Sequence, residues 1–153
     1  MMDKRKLVEV FQKFLDMQNY DLCLTITFRN KTGLELAKKQ FKYFFKYLNT
    51  KEEMIFDSFF IGWVFFEKEN RGGVHIHAII SGISPSKASI LEKRCRDYFG
   101  ESKVVPYDLS RPTHKSMSRY LAEKYVTDDL EFFDFMRINS RIRYRDKVYL
   151  QHT

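Results

Sequence analysis

Arg71-Gly72-Gly73-Val74-His75-Ile76-His77-Ala78-Ile79-Ile80 is a two-glycine turn that runs into an apolar, β-branched segment carrying two of the chain's four histidines. Side chains alternate across a strand, so His75 and His77 share one face while Val74, Ile76, Ala78 and Ile80 share the other. Two imidazoles side by side are a candidate metal chelate. They also suit two satisfied polar residues on a half-exposed strand, and the flanking sequence must separate the two.

Upstream, Phe59-Phe60-Ile61-Gly62-Trp63-Val64-Phe65-Phe66 is apolar on both faces, which predicts a central strand covered on each side and ending in Glu67. Lys68 to Gly73 then supplies a hairpin turn. In an unbulged antiparallel hairpin centred near Arg71 and Gly72, Glu67 lies opposite an odd-numbered residue. Its carboxylate then shares a face with His75 and His77, and three donors converge on one cation. A bulge would reverse the parity and make Glu69 the substitute.

The 153 residues predict one domain over 1–153 with a sizeable core, and 44% hydrophobic residues with 15 Phe argue for a packed globule rather than a disordered chain. A formal net charge of +7 and a pI near 9.4 fit a polyanionic partner, or simply a basic soluble protein. The two cysteines, Cys23 and Cys95, lack Cys-x-x-Cys spacing and read as buried thiols of a reducing compartment. Phe59 to Phe66 is too short to cross a bilayer, and no signal-peptide core follows Met1 to Lys6, so the expected location is the cytoplasm, with no membrane partner.

Taken in order, Leu7, Val8, Phe11, Phe14 and Leu15 recur at helical spacing between Asp3 and about Gln18. Leu22 to Phe28 alternates, with Leu22, Leu24, Ile26 and Phe28 facing the core. Cys23, Thr25 and Thr27 form a small hydroxylated face, either the floor of a ligand site or ordinary strand surface. A turn from Arg29 to Gly33 leads to a helix running to about Asn49, whose buried face is Ala37, Phe41, Phe44, Phe45 and Leu48. Ser84 and Pro85 open the next helix as N-cap and first residue, Ala88, Leu91, Cys95 and Phe99 form its buried face, and Gly100 stops it.

Val104 to Leu109 reads as a strand that Pro106 confines to an edge. A helix begins at Arg111-Pro112-Thr113 and runs to about Thr127, with Met117, Leu121, Ala122, Tyr125 and Val126 on its apolar arc. Tyr120 and Lys124 stack one turn apart on the edge of that arc, so Tyr125 is the better core tyrosine and Tyr120 the better reactive one. In the tail, an apolar patch at Phe132, Phe133, Phe135 and Met136 precedes Arg137, Arg141, Arg143, Arg145 and Lys147. Their alternation with apolar residues fits either a basic strand along a phosphate backbone or a polar-out edge strand.

An apolar Thr-containing strand, a strand ending in Glu, then Gly-Gly-Val-His-Ile-His, then a helix bearing Tyr-x-x-x-Lys: from about Leu22 to Tyr125 this order resembles the HUH endonucleases. Within that superfamily the chain is most similar to the nuclease domain of a rolling-circle replication initiator (Rep) of a plasmid or single-stranded DNA virus. The resemblance implies an α+β fold, a central antiparallel sheet with a ferredoxin- or RRM-like β-α-β-β-α-β core. Helices pack on that sheet, and the leading helix is an addition.

By the same resemblance, His75 and His77 hold Mg²⁺ or Mn²⁺ with Glu67 as third ligand. Tyr120 attacks a phosphodiester of single-stranded or hairpin origin DNA, leaving a 5′-phosphotyrosine and a free 3′-OH. A phenol with a pKa near about 10 is a poor nucleophile at neutral pH, so a cation at the phosphate and the Lys124 ammonium one turn away are both expected to help. Candidate DNA contacts are Thr25, Thr27, Arg29, Arg71, Arg119, Arg141, Arg143 and Arg145.

One departure from the family pattern matters. Relatives commonly show Tyr-x-x-Lys with a second Tyr four residues after the first, whereas here Lys124 is four residues on and Tyr125 five. A spacing of five rotates the second tyrosine away, which favours a single-tyrosine enzyme using Tyr120, with Tyr125 as the alternative nucleophile. No helicase-like nucleotide loop is present, so unwinding would fall to a separate helicase or to a further domain outside this sequence, and copying to a host polymerase.

A single-tyrosine HUH transposase is the nearest competing class. A non-catalytic RRM-like nucleic-acid binder is another, but it lacks the aromatic RNP motif and leaves the His/Glu set unexplained. A cupin-type His-x-His enzyme would need a Glu at a spacing this chain does not have.

Overall fold

The computed structural model describes residues 3–51, 53–56, 60–70, 72–108, 116–127 and 133–139. Its strands are β1 (Leu22–Phe28), β2 (Ile61–Lys68), β3 (Val74–Ser81), β4 (Gly100–Pro106) and β5 (Phe133–Asn139). The helices are α1 (Lys4–Leu15), α2 (Leu34–Lys51), a short α3 (Glu53–Phe56), α4 (Ala88–Tyr98) and α5 (Met117–Thr127), with a 3₁₀ turn at Pro85–Lys87 leading into α4.

The strands form one antiparallel sheet in the order β4-β1-β3-β2-β5. Its first four members are the β-α-β-β-α-β core expected from the sequence, with β5 added beyond β2. The α+β architecture, the central antiparallel sheet and the extra N-terminal helix are therefore all present.

Strand parity sorts the core into two layers. Even-numbered residues Leu24, Ile26, Val64, Phe66, Ile76 and Ala78 pack with Phe41, Phe44, Phe45 and Leu48 of α2 and with Leu91 and Cys95 of α4. Odd-numbered Cys23, Phe65, Ile79 and Phe133 pack with Leu15 of α1 and Leu121 of α5. Each fully buried Phe or Leu removes enough apolar surface from water to contribute about 1.5–3 kcal/mol, and β2 contributes to both layers, as its two-sided apolarity predicted. Thr27, Glu101, Lys103 and Val105 lie on the odd-numbered face but stay exposed. That face is thus helix-covered at one side and open at the other.

Several boundaries differ from expectation. The buried side of α1 is Val8, Gln12 and Leu15, while Leu7 and Phe14 are each 41% exposed, because the helix also meets α5 and turns a polar residue into that contact. Ser84 does cap the 3₁₀ turn, its hydroxyl accepting from the Ser86 N–H. β4 begins at Gly100 rather than Val104, since the glycine that ends α4 also opens the strand, and it is an edge strand as Pro106 implied.

The last described strand is the Phe-rich patch and includes Arg137. Arg71, the proposed helix start at Arg111-Pro112-Thr113, and Arg141, Arg143 and Arg145 lie outside the described residues. Among the described residues no helix is long and apolar enough to cross a membrane.

Gly62 shows how tightly β2 and β3 approach. A Cβ there would lie 2.0 Å from the Ile79 carbonyl oxygen, and the backbone φ of +155° is one that L side chains rarely adopt. Gly62→Ala is expected to destabilise the fold by roughly 3 kcal/mol or more, read as a lower urea midpoint. An unchanged midpoint would show that the hairpin can yield at this point.

Candidate metal centre

Three neighbouring strands present their odd-numbered residues in rows. Thr27, His75 and Glu67 are cross-strand partners in one row, and Thr25, His77 and Phe65 in the next. The register is unbulged and Glu67 pairs with His75 directly, as parity predicted. One ligand atom from each of Glu67, His75 and His77 lies within 4.8 Å of the other two.

The two imidazoles are not equivalent. His75 Nε2 is 2.9 Å from Glu67 Oε2 and its Nδ1 is 3.1 Å from Glu69 Oε1. The hydrogen bond to Glu67 holds the His75 pKa above its ordinary value against the opposing effect of burial, and the same bond holds the Glu67 carboxyl below its own. For His77, burial pushes the pKa down to about 4, and the His75 charge adds to that. His77 is therefore neutral at physiological pH, the form that can donate a lone pair to a metal.

Both ring nitrogens of His77, together with Glu67 Oε1, are buried without a hydrogen-bond partner. A buried polar atom left unsatisfied costs about 1–3 kcal/mol, so three on adjoining side chains call for an explanation. A divalent cation held by Glu67 Oε1 and one His77 nitrogen would account for two of the three, since an imidazole ligates through one nitrogen only. The mixed imidazole and carboxylate set suits Mn²⁺ better than Mg²⁺, which prefers an all-oxygen shell.

Tyr120 and Lys124 reach this centre from α5. The Tyr120 ring stands edge-on to His77 with centroids 5.8 Å apart, is 40% exposed, and has Lys124 Nζ 5.9 Å from its centroid. The Lys124 charge lowers the pKa of both Glu67 and His77, which sets the ammonium in the same electrostatic environment as the ligands. Tyr125 points elsewhere. It stacks on Phe11 at 4.4 Å and meets Phe135 edge-on at 4.8 Å, the core position its place on the wheel predicted.

The start of α5 is anchored on α1. Ser116 Oγ accepts from the Arg119 N–H at 3.1 Å and from Gln12 Nε2 at 3.3 Å, and the Tyr120 N–H donates to the Ser116 carbonyl at 3.1 Å. Arg119, a candidate DNA contact, donates instead to Glu123 at 2.8 Å and to Gln12 at 3.3 Å. Arg29 likewise donates to the carbonyls of Arg96 and Asp97 at the end of α4. Both arginines are engaged in holding helices.

Thr25 and Thr27 lie beside the centre. Next to them is a residue that charge and spacing missed: Lys103 pairs with Thr25 on the same face and helps line a cleft of 190 Å³ with Cys23, Val105, Tyr107 and Met117. Its parity would have revealed it had the strand been started at Gly100. No protein-family model, curated protein or solved structure matches the chain.

Proposed function

We propose that the protein is a metal-dependent tyrosine DNA endonuclease and strand transferase of the HUH type, nicking and rejoining single-stranded origin DNA to initiate rolling-circle replication in the cytoplasm. One observation carries this reading: a Glu67–His75–His77 cluster with unsatisfied buried ligand atoms faces a half-exposed tyrosine and a lysine on one helix. Neither a bare nucleic-acid binder nor a structural histidine pair accounts for all five side chains.

Glu67, His75 and His77 would hold the cation. When bound, Mn²⁺ or Mg²⁺ supplies Lewis-acid polarisation of the scissile phosphate. Tyr120 Oη forms the new bond to phosphorus as the bond to the 3′ oxygen breaks. The phenol gives up its proton and the departing 3′ oxygen takes one up, leaving a 5′-phosphotyrosine and a 3′-OH.

Lys124 stabilises negative charge on the phenolate and on the crowded phosphorus. A 3′-OH returning to the phosphotyrosine reverses the step, which is joining. The open floor at Thr25, Thr27 and Lys103 gives the strand a path to the centre, and the hydroxyls and ammonium suit phosphate contacts.

The test is direct. Incubated with single-stranded oligonucleotides containing hairpin-flanked origin sequence and Mn²⁺, the protein is expected to form a covalent DNA adduct that survives denaturing gels and disappears on chelation. Absence of an adduct across a library of random single strands, with Mn²⁺ bound, would overturn the reading.

A further inference from the structure

We propose that Glu69 positions His75 for metal binding, accepting the proton on Nδ1 so that Nε2 is the nitrogen presented to the cation. The inference rests on the metal-centre reading above and adds a role to a residue outside the ligand set. His75 is held between two carboxylates, with Glu67 at Nε2 and Glu69 at Nδ1. Glu67 belongs to the cluster whose ligand atoms converge, whereas that cluster comprises Glu67, His75 and His77 without Glu69. The two carboxylates therefore serve opposite ends of one imidazole.

An imidazole binds a metal through one nitrogen and donates the other N–H, and the acceptor of that N–H fixes both the tautomer and the ring plane. Glu69 is that acceptor for His75, while His77 has no hydrogen-bond partner at either nitrogen. With a side chain 42% exposed, Glu69 keeps its charge in contact with water and does not bear the cost of a buried carboxylate.

The hairpin turn puts Glu69 in place. Its N–H donates to the Gly73 carbonyl and its own carbonyl accepts from the Gly72 N–H, each at 3.0 Å. Gly72 and Gly73 have φ of 85° and 80°, left-handed values that glycine adopts without strain. The glycine pair before the histidines is thus the device that folds a second carboxylate back onto the first histidine.

The experiment measures Mn²⁺ binding by calorimetry to the full chain and to Glu69→Ala, Glu69→Gln, Glu67→Gln and His75→Ala, with thermal melts of each metal-free protein as a folding control. Glu69→Ala is expected to weaken Mn²⁺ about 10- to 100-fold, and Glu69→Gln less, because its amide oxygen can still accept the N–H. Long-range ¹H–¹⁵N spectra of the protein loaded with diamagnetic Zn²⁺ should show His75 ligated at Nε2 and protonated at Nδ1, with that preference lost in Glu69→Ala.

Wild-type protein that binds no Mn²⁺ would overturn the metal centre itself. Wild-type binding matched by Glu69→Ala would overturn the role of Glu69 alone. A loss in Glu69→Ala as complete as in Glu67→Gln would make Glu69 a ligand and equally overturn the positioning role.

Discussion

Tyr120→Phe is expected to remove the covalent DNA adduct and to lower strand nicking by about 10³-fold or more, because Tyr120 is the tyrosine whose ring stands against the His77 imidazole. The substitution keeps the ring that stands against His77 and deletes one oxygen from a half-exposed side chain, so the fold and Mn²⁺ binding should be unchanged. Tyr125→Phe is the matched control. Its ring lies among Phe11, Phe133 and Phe135, and losing its hydroxyl should leave the adduct at wild-type yield. An adduct that persists in Tyr120→Phe and vanishes in Tyr125→Phe would refute the assignment and require α5 to rotate on α1.

That rotation is opposed by contacts along α5. Gln12 and Ser116 hold its first turn, while Leu121, Ala122 and the Tyr125–Phe11 stack hold its middle. The five-residue spacing of the tyrosines then has a simple consequence. Once Tyr125 is committed to the apolar side, Tyr120 emerges near the edge of the helix that overlooks the sheet's open face.

The parts of the site legible in the sequence are those that depend on local periodicity. His75 and His77 had to share a face because a strand repeats every two residues, and Glu67 had to join them if the hairpin was unbulged, which it is. The layer formed by Ala37, Phe41, Phe44, Phe45 and Leu48 followed from helical spacing in the same way.

What was not legible depends on tertiary partners. For Arg29 and Arg119 a guanidinium's charge is visible in the sequence, but its partners within the fold are not. The carbonyls and the Gln12 amide that occupy them come from elements 67 or more residues away. The strand β5 was hidden for another reason. Phe133 and Phe135 enter the α1–α5 layer and Met136 and Ile138 the α2–α4 layer, so the apolar set changes face midway and no single alternation runs through the segment.

Parity named Glu67 as the third ligand and Glu69 as its substitute in a bulged hairpin, and it gave Glu69 no role in an unbulged one. Only the side-chain geometry separates the carboxylate that joins the cluster from the one behind His75.

Affinity for Mn²⁺ is expected to fall about tenfold for each unit of pH below 6.5, the ordinary histidine value, down to about pH 5, a slope of one proton and not two. The sign follows from the two imidazoles. Glu67 holds His75 protonated above the ordinary histidine range, so a cation arriving at Nε2 must displace one proton, and a lower pH opposes it more strongly.

His77 adds nothing over this interval, because burial holds its pKa near 4 and its ring is already neutral. Glu67, with its own pKa lowered, is already ionised. Calorimetry in buffers of different ionisation enthalpy should accordingly find about one proton released per Mn²⁺ bound near pH 6. Release of two protons would mean that His77 also titrates in this range. In that case its ring would have to be solvated or paired in solution, and the unsatisfied nitrogens that argue for a cation would no longer do so.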